Sequence, residues 1–213
     1  MIKATIFDLD GVIVDTAKYH FLAWRRLAVE LGSDLTEHDN EKLKGVSRMQ
    51  SLQIILDKAK IDISNERKEA LATRKNEWFV DYVEAMKPDE IYPGVRKLIE
   101  SLRKKNIKVA LASSSKNAPR VVELLGIADL FDVIVDGSMI IDTKPDPEIF
   151  LLTAQKLNMK PADCVVFEDA EAGVEAAIRA GMKCVGVGSE NLAKANKVVA
   201  RTADFKLEDL NSL

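Results

Sequence analysis

Apolar and polar positions follow three successive rhythms along this chain. Ile2, Ala4, Ile6 and Phe7 form a short, nearly continuous apolar run, the pattern of a strand buried on both faces of a parallel sheet. From residue 16 to residue 87 the period becomes helical. Ala17, Phe21, Trp24, Ala28 and Leu31 recur at helix spacing up to Gly32, and Met49, Leu52, Ile55, Leu56 and Ala59 mark a second helix. Leu71, Trp78, Phe79, Tyr82, Val83 and Met86 mark a longer third. No strand-like stretch interrupts them, so this block reads as all-helical. Pro88 and then Tyr92-Pro93-Gly94 close it.

Beyond Gly94, helix and strand patterns alternate. A helix through Val95, Leu98, Ile99 and Leu102 precedes a strand from Ile107 to Ala112. Asn117 and Pro119 suit the start of the next helix and Gly126 its end. A strand from Val133 to Val135 leads to a helix through Ile149, Phe150, Leu152 and Leu157. A strand from Cys164 to Phe167 leads to a helix ending at Ala180-Gly181, and Cys184 to Val187 form a last strand. This alternation predicts an α/β fold with a parallel sheet and right-handed crossovers. The expected architecture is a Rossmann-like parallel-sheet core, residues 1–15 and 88–213, with an inserted α-helical cap domain, residues 16–87. Leu207 and Leu210 suggest a short closing helix. The rest of the tail after Gly188, and residues 136–142, carry no pattern tied to function, and the lone Gly186-x-Gly188 reads as a turn.

Active sites of such sheets lie off the carboxyl ends of the strands, and there the polar residues gather. Asp8 and Asp10 follow the first strand, and residues two apart in extended chain project to one side. Two crowded carboxylates need a cation, a proton or hydrogen bonds to offset them, and Gly11 permits a sharp turn just after. The second strand delivers Ser113, Ser114, Ser115, Lys116 and Asn117; the loop after the third holds Lys144 within Thr143-Lys144-Pro145-Asp146-Pro147; the fourth delivers Glu168 and Asp169. Singly, these residues have plainer readings: solvated turn acids, a strand-ending serine, a surface lysine, acids at a helix start. Jointly they suit phosphoryl transfer. Carboxylate oxygens of Asp8, Glu168 and Asp169, with a backbone carbonyl and waters, match the octahedron of magnesium. Asp8 is the candidate nucleophile, forming an aspartyl phosphate, and Asp10 the general acid and base. Ser113 and Lys144 are the candidate partners of the transferring oxygens.

Composition narrows the class without changing this picture. The 213 residues, 47% hydrophobic and 31% charged, suit a globular domain with an insertion. A formal net charge of -3 gives no pull towards nucleic acid or anionic membranes. The basic cluster Arg103-Lys104-Lys105 with Lys108 suits a solvated helix end. No stretch reaches the roughly 18 continuous apolar residues of a membrane span, and no charged-then-apolar leader precedes Asp8. Cys164 and Cys184 lie in apolar runs and read as buried free thiols of a reducing compartment. The expectation is a cytoplasmic monomer acting on small molecules.

Asp-x-Asp-Gly at 8–11, then Ser113, Lys144 and Glu168-Asp169, resembles the haloacid dehalogenase superfamily of phosphotransferases, in its subclass with a small helical cap. Within it, Thr16, His20, Trp24, Lys44-Gly45-Val46-Ser47-Arg48, Ser51 and Arg74-Lys75-Asn76, with the run Ala112 to Asn117, are similar to the β-phosphoglucomutase family over nearly the full length. The resemblance implies interconversion of β-D-glucose 1-phosphate and glucose 6-phosphate, with Mg2+ and β-D-glucose 1,6-bisphosphate as primer and intermediate. By position, Glu168, Asp169, Asp8 and the Asp10 carbonyl would bind the metal. Arg48, Ser115, Lys116 and Asn117 would hold the second phosphate, and His20 and Lys75 would couple cap closure to Asp10. Thr16, Trp24, Lys44, Gly45, Val46, Ser47, Ser51 and Asn76 complete the implied substrate site. A mutase must turn its bisphosphate around while keeping water from the aspartyl phosphate, which calls for a lid bearing a phosphate ligand such as Arg48. The rival is a sugar-phosphate phosphatase of the same fold, using the same Asp8 and Asp10.

Overall fold

A computed structural model of the chain describes residues 1–43, 47–188 and 192–213. The expected substrate residues Lys44, Gly45 and Val46 lie outside the described residues. The chain divides into two compact units, one of Met1–Asp15 with Lys87–Leu213 and one of Thr16–Met86.

The first unit is built on a parallel sheet of six strands among the described residues: β1 (Ala4–Phe7), β2 (Lys108–Ala112), β3 (Val133–Val135), β4 (Cys164–Glu168), β5 (Lys183–Val187) and β6 (Lys197–Val199), in the order β3-β2-β1-β4-β5-β6. Ile6 of β1 lies opposite both Ala110 and Val166, so the shortest interior strand is paired on each side and wholly buried. The apolar run that marks it in the sequence is continuous because neither face meets water. Side chains alternate across the sheet. Ala4, Ile6, Cys164 and Val166 enter one core with Ile149 and Phe150 of α7 (Glu148–Lys156) and Val174 of α8 (Glu171–Arg179). Phe7 and Phe167 stack at 4.5 Å, and Phe205 meets Phe167 edge-on at 4.9 Å. Those two phenylalanines immediately precede Asp8 and Glu168, so the ring stack braces the two strand ends on the face opposite the acids. Strand order departs from chain order between β1 and β4, the switch point at which a crevice opens in such sheets.

In this unit β6 is the element the sequence pattern omits. Its three residues carry two valines behind a lysine, too short a run to show a period. The expected closing helix is a 3-10 segment, Leu207–Asn211. Both cysteines are free and buried.

The second unit is helical throughout its described residues: α1 (Ala17–Glu30), α2 (Glu37–Glu41), α3 (Arg48–Ala59) and α4 (Asn65–Val83). Trp24, Leu27, Leu35, Leu52, Ile55, Leu56 and Leu71 form its core. Ser47 and Ser64 cap α3 and α4, accepting from the amides of Gln50 and Arg67. That cap carries α4 six residues upstream of Leu71, the first apolar position expected in it. The five residues of α2 include no apolar side chain, so only its Thr36–Asp39 capping box could have revealed it. No helix among the described residues is long and apolar enough to cross a membrane.

The aromatic stack sets the first expectation. Phe167→Ala should destabilise the sheet unit by about 3–5 kcal/mol, read as a lower denaturation midpoint in urea.

Candidate active site

Asp8 continues the sheet one residue past β1, its amide donating to the Phe167 carbonyl at 3.0 Å. The chain then turns at Gly11, which has φ +72° and whose amide donates to Val14 O at 2.9 Å. A Cβ at Gly11 would lie 1.9 Å from Asp169 Oδ2, so both conformation and contact demand glycine there. Glu168 ends the neighbouring β4, and Asp169 comes directly after it.

Lys144 joins these strand ends. Its Nζ donates to Asp8 Oδ1 at 2.5 Å and to Glu168 Oε2 at 2.8 Å. The other Glu168 oxygen accepts from the Ala170 amide at the start of α8, at 3.2 Å. Asp8, Glu168 and Asp169 each offer a carboxylate oxygen, all within 4.8 Å of one another. Burial raises the Asp8 pKa well above the usual carboxylate range; Lys144 opposes this, while Glu168, Asp10 and Asp169 reinforce it. Asp169 is pushed up to about 7, first by desolvation and then by Glu168 and Asp10. Burial pulls the Lys144 ammonium down, but Asp8 and Glu168 outweigh it and hold its pKa above the usual value. Among the described residues Lys144 is thus bonded to two of these acids, Asp8 and Glu168, with Asp169 beside them. These hard oxygen donors, crowded together, could hold a metal ion between Asp8, Glu168 and Asp169.

After β2 the chain makes a tight serine turn. Ser113 is buried, and its amide donates to Val135 O at 3.0 Å. Its Oγ accepts from the Ser115 amide at 3.1 Å, and Ser115 Oγ accepts from the Asn117 amide at 3.3 Å. Lys116 is exposed, and Asn117 leads into α6 (Ala118–Leu124).

The helical unit holds a cluster of its own. Lys75 Nζ lies 2.8 Å from His20 Nδ1 and sits over the rings of Trp24, at 4.4 Å, and Phe79, at 5.1 Å. His20 stacks on Phe79 at 3.9 Å, and Arg48 donates to Asn76 Oδ1 at 2.8 Å. Burial, then Lys75 and Arg48, hold His20 well below its ordinary pKa. Burial, then Arg48, lowers Lys75 to about 7. The lysine ammonium therefore donates to an unprotonated Nδ1. Among the described residues no carboxylate pairs with Arg48, Lys75 or His20. Trp24 belongs to the helical core as well as to this cluster. Thr16 and Ser51 are buried, whereas Ser47 is exposed with its hydroxyl committed to the α3 cap.

The structure brings together Asp8, Lys144, Glu168 and Asp169 in one unit and His20, Trp24, Lys75, Arg48 and Asn76 in the other. It also adds Gly173, which no sequence pattern singles out. A Cβ there would lie 2.0 Å from Glu168 Cδ and 2.2 Å from its Oε2, so the bare backbone of α8 makes room for the carboxylate. Glycine inside a helix costs about 1 kcal/mol against alanine, which is the signal that could have flagged it.

A family profile described as haloacid dehalogenase-like hydrolase matches residues 2–181. The chain is 45% identical over 212 residues to the β-phosphoglucomutase of Bacillus subtilis, covering 98% of this chain and 94% of that one. It is 38% identical over 213 residues to the phosphorylated carbohydrates phosphatase of Thermotoga maritima, with 98% and 96% covered. The crystal structure of β-phosphoglucomutase from Clostridium difficile matches it with a TM-score of 0.92 at 46% identity, over 100% of this chain and 96% of that one.

The geometry sets two expectations. Gly173→Ala should lower Mg2+ affinity by about tenfold or more, read by calorimetric titration, while circular dichroism stays that of the parent. Lys75 titrates near 7 when folded and near 10.5 when unfolded, so between those values the unfolded chain binds more protons. Stability should therefore rise with pH across that window, by about 1.4 kcal/mol per unit. Lys75→Met should remove that part of the slope in parallel urea titrations.

Proposed function

The chain belongs to the haloacid dehalogenase-like hydrolases, and we propose that within them it is a magnesium-dependent β-phosphoglucomutase. It would interconvert β-D-glucose 1-phosphate and glucose 6-phosphate through an aspartyl phosphate and β-D-glucose 1,6-bisphosphate. The observation that carries this reading is the pair of cations Arg48 and Lys75, with a neutral His20 beside them and no carboxylate bonded to either among the described residues. Phosphoryl transfer alone calls on the acids, Ser113 and Lys144. A mutase must in addition hold the phosphate that is not being transferred, and Arg48 and Lys75 are ready anion ligands. The identity to the Bacillus and Clostridium proteins supports the same choice.

In the proposed reaction Asp8, phosphorylated at the outset, gives its phosphoryl group to the 6-hydroxyl of β-glucose 1-phosphate. Asp10 takes the hydroxyl proton as the oxygen attacks phosphorus. The bisphosphate then turns round. A carboxylate oxygen of Asp8 attacks the 1-phosphate, the bond from phosphorus to the C1 oxygen breaks, and Asp10 returns the proton to that oxygen. Glucose 6-phosphate leaves and Asp8 is phosphorylated again. Magnesium, when bound, neutralises charge between carboxylate and phosphate. Ser113 and Lys144 hold the transferring oxygens, Lys144 exchanging part of its contact with Asp8 and Glu168 for them. Ser115, Lys116 and Asn117 join Arg48 on the other phosphate, and Thr16, Trp24, Ser47, Ser51 and Asn76 complete the sugar site with Lys44, Gly45 and Val46. The reading places the protein in the cytoplasm as a monomer acting on small sugar phosphates.

Similarity to the Thermotoga phosphatase favours one alternative, hydrolysis of a sugar phosphate by the same Asp8 and Asp10. Phosphorus NMR of β-glucose 1-phosphate with Mg2+ and a trace of bisphosphate separates the two. Glucose 6-phosphate should accumulate with little free phosphate; free phosphate as the main product would establish the phosphatase. Asp8→Asn should abolish turnover in either case, and Asp10→Asn should slow it by about 100-fold or more while Mg2+ binding persists.

A further inference from the structure

Residues 136–142, silent in the sequence, begin with a turn that is built into the sheet edge. We propose that Gly137 is a positioning residue for the non-transferred phosphate: its bare main chain seats the Ser114–Asn117 turn. This rests on the proposed function, in which Lys116 and Asn117 bind that phosphate.

Gly137 lies just beyond β3, whose Val135 is the register partner of Ala112 at the end of β2. The two strand ends therefore leave the sheet side by side. A Cβ on Gly137 would lie 2.0 Å from the Ser114 carbonyl oxygen, 2.8 Å from its carbon and 3.4 Å from the Lys116 amide nitrogen. The Gly137 amide points at Ser115 O, at 3.5 Å. These are contacts of backbone with backbone, which no rotamer change relieves. Gly137 is not among the glycines of positive φ, so it is the contact with the Ser114 main chain that opposes a side chain here.

Neither side can easily yield. Asp136 is buried, and its Oδ1 accepts from the Ser138 amide at 2.7 Å and the Ser138 hydroxyl at 2.6 Å, which locks the turn around Gly137. Ser113 is pinned to β3 through Val135 O. A methyl at 137 must therefore displace Ser114 and the rest of the turn, by about 1 Å to reach even the tightest tolerated contact. Ser113 keeps its place, while Lys116 and Asn117 move away from it. Displacement on that scale can cost up to about 100-fold in a positioned reaction.

The test compares Gly137→Ala, Lys116→Ala and the double variant in total turnover of β-glucose 1-phosphate, whether the product is glucose 6-phosphate or free phosphate. Gly137→Ala should raise KM by about tenfold or more, with kcat changed by less than about threefold and Mg2+ affinity unchanged. Because it acts through the turn, the double variant should raise KM by less than the product of the two single effects. An unchanged KM in Gly137→Ala, or multiplicative effects, would overturn the proposal. Should Gly137→Ala fail to fold, Ser138→Ala, which removes one of the bonds bracing Asp136, decides by the same split with a smaller rise in KM. A silent Lys116→Ala together with a silent Asn117→Ala would overturn the anion reading of the turn, and this inference with it. A silent Gly137→Ala beside an effective Lys116→Ala would overturn the inference alone.

Discussion

A charge imbalance governs the sheet unit. Asp8, Asp10, Glu168 and Asp169 crowd the carboxyl ends of β1 and β4, and Lys144 is the cation bonded to two of them. Acids crowded at this density and kept from moving apart either take up protons, the direction in which Asp8 and Asp169 are displaced, or are neutralised by a cation. The scaffold holds them in place with short strands paired on both sides, a ring stack on the opposite face of the same strand ends and glycines where acids need space. A site so arranged is poised for a divalent cation, and for substrates that arrive with it.

The helical unit carries the opposite imbalance. Burial lowers the proton affinity of His20, Lys75 and Arg48, Arg48 adds to this at Lys75, and both cations add to it at His20, while the aromatic faces of Trp24 and Phe79 supply compensation that carboxylates would otherwise give. A lysine kept near its titration point in this way responds to an arriving dianion by holding its proton more firmly. The cluster is thus more than a set of surface charges; its ionisation depends on what it binds.

The sheet was legible in the sequence because buried parallel strands write continuous apolar runs, and β1, β2, β4 and β5 each have one. Edge strand β6 has no such run, and α2 has no apolar face, so periodicity passes over both. Asp8, Lys144 and Glu168-Asp169 were legible as acids and a lysine at strand ends, and the structure does gather them. The supporting contacts were not. Gly173 and Gly137 act through the absence of a side chain, and which atom fills the vacated space is settled by tertiary packing between segments distant in sequence.

The two edges of the sheet share one property. β3 and β6 are each only three residues long, and both are flanked by ion pairs, Lys108 with Asp132 on one side and Lys197 with Asp209 on the other. A short edge offers few unpaired amides and carbonyls to a passing strand, and nearby charge raises the cost of docking there. The continuous apolar strands on which the acids depend are the segments most able to aggregate. Confining them to the middle of the sheet lets the protein keep a hydrophobic foundation under its charges without exposing a template for intermolecular pairing.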